Sequence, residues 1–443
     1  MTSQSRLTHF VMETTNRRWT ILGKGTCISS KGNIVSVKQF PYIGKRTNNP
    51  PSIQVTKTGA VIFKNDIFGM TIWQFEKKYK ECLSRRTKNF QIIQRIVVPC
   101  NKRNCDGLVR VQQQSPSHRN FVKKLIAIIG TSDEIKLRQR MFMIQNYFNR
   151  YGDENSIPVF TGSLSEGIDL PGSDEDEMLI CKFIRVLDRT CPLLCTKSDK
   201  FTEVIMDTNK MQPGFARLIF PDRTRHNAYI DNSLVEHTNI VSSSKFRHQF
   251  VYPGSFSHGP CVSYGNGSYD FAICLFCPHW PTIAESWKKR ARPSKWPSKK
   301  LVIQIVRDGC LLVPIGPKFN DDNYSQWRIS FSMGEKRLML SMNHAQILCY
   351  GLLKIILKES SDSCGHLKDY LCSYYLKSAL FWLSEEIPQR FWVYENIIEC
   401  YHLLIEKLIT WTRECYCPNY FIPENNMFLG KINCDNNLPL LVT

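Results

Sequence analysis

No run of about 18 apolar residues occurs anywhere in this 443-residue chain, so no membrane-spanning helix and no membrane partner are expected. The opening MTSQSRLTHF lacks the apolar core of a secretory leader, so export is not expected either. That absence governs how the 18 cysteines are read. Scattered along a long chain without a leader, they point to reduced, mostly buried thiols and a cytoplasmic protein rather than a disulfide framework. Paired ligands at zinc-finger spacing are also lacking. Cys274-Leu275-Phe276-Cys277 has no second Cys/His pair, and Cys100 with Cys105 is too few.

Acid is scarce in one third of the chain. Residues 1–150 hold 27 of the 58 basic side chains but only 7 of the 39 acids, a net of +20 against −1 for the remaining 293 residues. Such asymmetry suits a polyanionic partner, most simply nucleic acid. A basic module that is merely soluble is the other reading.

An apolar share of 42% argues against wholesale disorder. The length exceeds what one hydrophobic core usually organises, so more than one lobe is expected. Residues 1–115 read as a basic N-terminal module of unknown fold. Ile34–Val37, Ile53–Thr56 and Gly59–Phe63 look like strands, the last two paired through a short turn, and Trp73–Arg86 looks helical. Gln112–Ser117 reads as a linker. A helix then begins near Thr131, where Thr131 and Glu134 form a capping-box pattern. Ile135, Phe142, Ile144 and Phe148 supply its apolar side, and Lys136, Arg138 and Arg140 its positive charge.

The stretch TGSLSEGIDLPGSDEDEM, Thr161 to Met178, carries the densest chemistry. If its end is a strand, Asp174 and Asp176 share one face. Two carboxylates that close repel unless a cation lies between them, and a hard divalent ion with oxygen ligands suits the geometry. Gly162-Ser163 offers a backbone without Cβ beside a small hydroxyl, where a triphosphate can lie close. A solvated acidic turn is the bland alternative. Further on, Asp270 opens an otherwise apolar strand, Tyr269 to Phe276, where a charge must be paired or metal-bound. Gly214–Phe220 reads as another strand of the same sheet. Trp287–Leu301 packs seven basic residues among tryptophans and prolines, suited either to phosphates or to a solvated connection. From Asn343 the apolar spacing is helical.

GSLSEGIDLPGSDEDEM, with QWRISFSMGEKRLM (326–339), LCSYYLKSALFWLSEE (371–386) and NYFIPENNMFLGKI (419–432), resembles the cyclic GMP–AMP synthase (cGAS) and male-abnormal-twenty-one-like nucleotidyltransferase family, especially its invertebrate cGAS-like receptors. The resemblance covers residues from about 130 to 432. It implies an α/β, bilobed nucleotidyltransferase fold with a mixed sheet, a long spine helix and a helical C-terminal lobe. The corresponding division is 1–115, a nucleotidyltransferase core at 116–340, and helices at 341–443. It also implies two-metal phosphoryl transfer with Mg²⁺ or Mn²⁺ on Asp174, Asp176 and Asp270. ATP and/or GTP would be bound by Gly162, Ser163, Arg328, Ser330, Ser332, Lys354, Ser373 and Tyr374. By its own helical spacing alone, Tyr374 reads as core rather than as a site residue. The implied product is a cyclic dinucleotide messenger of innate immunity, made when a double-stranded nucleic acid binds, with Lys136, Arg138 and Arg140 among the contacts and ligand-induced oligomers allowed. The zinc thumb of vertebrate cGAS is absent between Met333 and Ile347, which favours RNA over DNA as activator. A non-catalytic scaffold and an RNA-end polymerase are the rival readings.

Overall fold

The computed structural model describes 26–28, 34–36, 52–55, 61–64, 116–149, 155–170, 173, 175–189, 202–220, 234–235, 239–251, 255–264, 269–317, 323–363 and 370–436. In the basic N-terminal third, β1 (Thr26–Ile28) pairs antiparallel with β2 (Ile34–Ser36), and β3 (Ser52–Val55) with β4 (Val61–Lys64). The pairing of the Ile53 and Val61 strands is as expected. The helix expected at Trp73–Arg86 lies outside the described residues.

Two helices follow. α1 (Pro116–Ile129) takes in Pro116 and Ser117 of the expected linker, and α2 (Ser132–Asn149) starts where the capping box puts it. The Thr131 amide donates to Glu134 Oε2 at 2.8 Å, and the Glu134 amide returns to Thr131 Oγ1 at 3.3 Å. The spine is therefore not one continuous helix. Gly130, at φ +118°, breaks it in a conformation side chains rarely adopt.

A mixed sheet forms the centre. Its strands are β5 (Ser156–Thr161), β6 (Glu175–Asp188), β7 (Thr202–Asp207), β8 (Phe215–Ile219), β9 (Phe256–His258), β10 (Cys261–Tyr264), β11 (Tyr269–Cys277), β12 (Cys310–Val313) and β13 (Gln326–Ser330). The order is β5-β6-β7-β8-β13-β12-β11-β10-β9, and β6 also pairs with β11, so six of the strands close on themselves. β6 does this with its two halves. Residues 176–181 pair antiparallel with β5, residues 175–180 (and Arg185 beyond a bulge) pair in parallel with β11, and residues 184–188 pair in parallel with β7. Ile180, Ala272, Cys274, Leu311 and Val313 fill a small core on one face.

The other face shares one continuous core with the helices, from Val186 and Val204 in the sheet to Leu380 and Leu404. Short helices α3 (Gly162–Ser165), α4 (Ser243–His248) and α5 (Glu285–Lys289) decorate the strands. The larger ones are α6 (Lys299–Arg307), α7 (Ser332–Leu340), α8 (His344–Ser363), α9 (Ser373–Glu386) and α10 (Ile397–Glu414). The strap before α6 does not offer its arginines to a polyanion. Arg290 donates to the Tyr420 carbonyl at 2.7 Å and lies 4.2 Å from the Trp382 ring centroid, and Arg292 donates to the Trp287 carbonyl at 2.6 Å. No helix among the described residues is long and apolar enough to cross a membrane.

Candidate active site

β5 runs straight into the Gly162–Ser165 turn. Gly162 adopts φ +68°, and a Cβ there would collide with the Asp176 carboxylate, so only glycine lets the two segments lie this close. The turn closes on itself through Glu166 N–H to the Gly162 carbonyl (3.2 Å) and Ile168 N–H to the Ser163 carbonyl (2.8 Å). Ser163 is buried in it.

Asp176 sits in register opposite Thr161 of β5 on one side and Asp270 of β11 on the other. Partners in register on neighbouring strands, roughly 4.8 Å apart, project to the same face. The two carboxylates thus share one corner of the sheet, beside Gly162. Asp270 is half-buried, and its Oδ1 accepts the Ser263 hydroxyl at 2.6 Å from the facing position on β10. The pairing demanded of a charge in that apolar strand is met by a serine the sequence did not single out. Its one signal was its place in the hairpin arm before Asp270. Glu177 points to the opposite face and is buried. Asp174 lies outside the described residues. Among the described residues no group of three or more His, Cys, Asp or Glu stands ready for a metal. What the described chain offers is a carboxylate pair, a donor set suited to a hard divalent ion.

A second group gathers nearby. Arg328 is exposed on β13. Its charge favours the ionised forms of Glu335 and Tyr374, although burial dominates both and holds each pKa above its ordinary value. The Tyr374 hydroxyl donates to Glu335 Oε1 at 2.9 Å and accepts from Asn419 Nδ2 at 3.2 Å. Ser330 ends β13 and Ser332 opens α7, so the two do not alternate along one strand. The chain turns helical between them. The Ser332 hydroxyl is buried with no hydrogen-bond partner among the described residues, and its amide lies 3.4 Å from Ser330 Oγ. Ser373 is exposed at the start of α9. Lys354 lies half-buried on α8, its ammonium 6.0 Å from the Tyr350 ring centroid.

On α2, Lys136 and Arg140 are exposed. Arg138 is not. It is 1% exposed, and its guanidinium donates to the Ile129 carbonyl at 2.6 Å and the Glu134 carbonyl at 3.3 Å. The expectation of a phosphate contact is corrected here: Arg138 mends the break between α1 and α2. The CxxC cysteines, Cys274 and Cys277, are free and buried, as expected, and burial raises the Cys274 thiol pKa.

A mixed sheet with opposed acids at one corner, followed by a helical C-terminal part, is a nucleotidyltransferase-type α/β fold. Residues 262–341 match the Mab-21 protein nucleotidyltransferase domain, and residues 345–438 match the Mab-21 protein HhH/H2TH-like domain. The chain is similar to mouse cyclic GMP-AMP synthase, 28% identical over 169 residues that make up 34% of this chain and 32% of the mouse protein. It is similar to a mab-21-like protein of Drosophila melanogaster, 27% identical over 161 residues (34% of this chain, 42% of that one). A mab-21-like protein of Aedes aegypti is 22% identical over 371 residues, 82% of this chain and 88% of the mosquito protein. The chain thus spans about a third of the mouse relative's length and under half of the fly relative's. The two Mab-21 domain matches follow one another along the chain, an order consistent with the cGAS/Mab-21 family.

Proposed function

We propose that this chain is a nucleic-acid-activated, metal-dependent nucleotidyltransferase that joins ATP and/or GTP into a cyclic dinucleotide messenger of innate immunity. The observation that carries the reading is Asp176 in register opposite Asp270, with Gly162 packed against Asp176. Asp176 and Asp270, together with Asp174, would hold Mg²⁺ or Mn²⁺. When bound, such an ion neutralises triphosphate charge and makes an attacking ribose hydroxyl more acidic. The chain's own residues do the rest. Ser263 orients Asp270 through its hydroxyl. Gly162 and Ser163 would meet phosphate oxygens through the backbone of the turn. Arg328 offers a planar fork to a base edge. Tyr374 flanks it, its hydroxyl held by Glu335 and Asn419. Ser330, Ser332, Lys354 and Ser373 complete the proposed nucleotide contacts.

The activator reading rests on the net +20 of residues 1–150 and on exposed Lys136 and Arg140. Double-stranded RNA is favoured over DNA because no zinc thumb interrupts the passage from α7 to α8; His344 is instead hydrogen-bonded to the Gly130 carbonyl and the Tyr394 hydroxyl. Incubation with four labelled triphosphates, Mg²⁺ or Mn²⁺ and a panel of duplexes tests the reading, with products separated by anion exchange. A phosphatase-resistant cyclic dinucleotide that appears only with duplex supports it. A primer-dependent ladder would assign a polymerase instead. Because the mosquito mab-21-like protein aligns over most of this chain, a scaffold is the second reading, and nucleotide binding without turnover would favour it.

A further inference from the structure

Against the Gly162–Ser165 turn lies a cluster of buried charges that the proposed chemistry does not use. Its members are Glu166, Glu335, Lys336 and Lys377, exposed by 1%, 8%, 8% and 8%. Lys377 Nζ stands 2.7 Å from Glu166 Oε1 and 3.8 Å from Glu335 Oε2. Lys336 Nζ donates to the Phe160 carbonyl at 2.8 Å. Two acids and two lysines balance in formal charge. Removing each ion from water costs several kcal/mol, and well-packed apolar residues often serve stability as well, so stability alone does not account for the group.

Its placement does. Phe160 stands two residues before Gly162, and Glu166 immediately follows Ser165. Lys336 of α7 holds the entry to the turn, and Lys377 of α9 holds its exit. A third grip comes from α2, where Gln139 Nε2 donates to the Glu166 carbonyl at 2.8 Å. Gly162 rests against the Asp176 carboxylate with no space between them, so a shift of the turn moves the wall on which that carboxylate leans.

We infer that Lys336 and Lys377 are positioning residues that clamp the Gly162–Gly167 turn at its two ends and so hold the Asp176 carboxylate toward Asp270. The catalytic consequence rests on the nucleotidyl-transfer reading, while the mechanical one does not. Through Glu335 the same cluster reaches the Tyr374 hydroxyl, so the acid corner and the Arg328–Tyr374 group are tied to one set of buried charges.

The test is amide hydrogen exchange on the full chain, read beside steady-state kinetics. The reporters are the amides of Glu166, Gly167 and Ile168, which bond to turn carbonyls. Lys336→Met and Lys377→Met should each raise their exchange by about tenfold or more while α10 amides keep their protection. With product formation as readout, kcat should fall by about tenfold with KM changed less than about twofold. The reversed pair Glu166→Lys/Lys377→Glu should recover part of both losses. Should Lys377→Met fail to fold, Gln139→Leu, which removes one hydrogen bond and no charge, carries the test with a smaller local rise. Unchanged exchange in Lys336→Met and Gln139→Leu would overturn the inference, as would a rise spread evenly over the chain. A local rise in a protein that makes no product from any triphosphate would leave the clamp standing and remove only its catalytic consequence.

Discussion

The strand corner that carries Asp176 and Asp270 and the helix that carries Lys136, Arg138 and Arg140 handle charge in opposite ways. At the corner, register puts two like charges side by side, half-buried beside a turn that leaves no room for a side chain. On α2, one of three like charges is withdrawn into the interior and spent on backbone carbonyls. The sheet concentrates charge where chemistry can use it, and the helix distributes charge between solvent and structure. The geometry of each element explains why. Register partners on adjacent strands share a face. Along an α-helix, residues two apart point about 200° apart and residues four apart about 40°. Lys136 and Arg140 therefore share a face that Arg138 cannot join.

The comparison breaks most sharply at Gly162. Gly162→Ala forces a side chain into the Asp176 carboxylate at a positive φ, and turnover should fall by about 10²-fold or more, in line with a misplacement of about 1 Å, while circular dichroism keeps its native form. Near-normal turnover would show that the turn and the acid are not coupled. On the helix the expected effect is on stability. Arg138→Ala empties a buried site and orphans the Ile129 carbonyl, so denaturant unfolding should show a loss of about 2–4 kcal/mol, against about 0.5 kcal/mol or less for Lys136→Ala. Equal losses would erase the distinction.

Burial holds the Lys336 ammonium down to about 8, only partly offset by the nearby Glu166. An unfolded lysine titrates at about 10.4, so between the two values the unfolded chain binds more protons and stability should rise with pH. Below about pH 8 the burial penalty is present in full. Unfolding followed from pH 7.5 to 10 should thus show the wild type gaining on Lys336→Met, and parallel curves would refute the assignment. The smallest effect is on duplex binding. Reversing Lys136 or Arg140 should lower the salt slope of binding by about 1 each, while conservative Arg138→Lys leaves the slope unchanged if the protein stays folded.

Much of the architecture was legible because its signals are local. Gly214–Phe220 and Tyr269–Phe276 read as strands and the structure has strands at Phe215–Ile219 and Tyr269–Cys277, while the Thr131/Glu134 capping box marked the start of α2. The third acid, Asp270, announced itself as a lone charge opening an apolar strand. The buried cluster left no such trace. Glu335 and Lys336 in GEKRLM and Lys377 in its helix carry no local mark of burial. Lys377 meets Glu166 across 211 residues of sequence, and no local pattern encodes a contact of that range. Arg138 was misread for a related reason: its partners are carbonyls at a helix end, and carbonyls carry no sequence.

The central claim, that Asp176 and Asp270 form one catalytic pair, is tested most directly by pyrophosphate release from labelled ATP and GTP, measured with Mn²⁺ and duplex RNA for the wild type, Asp176→Asn and Asp270→Asn at matched melting temperature. The account predicts release by the wild type and a loss of about 10³-fold or more in each variant, the scale on which removing one key electrostatic group acts. Melting should be unchanged or slightly raised without metal, because a carboxylate repulsion has been relieved. Release by Asp270→Asn within a few fold of the wild type would contradict the pairing.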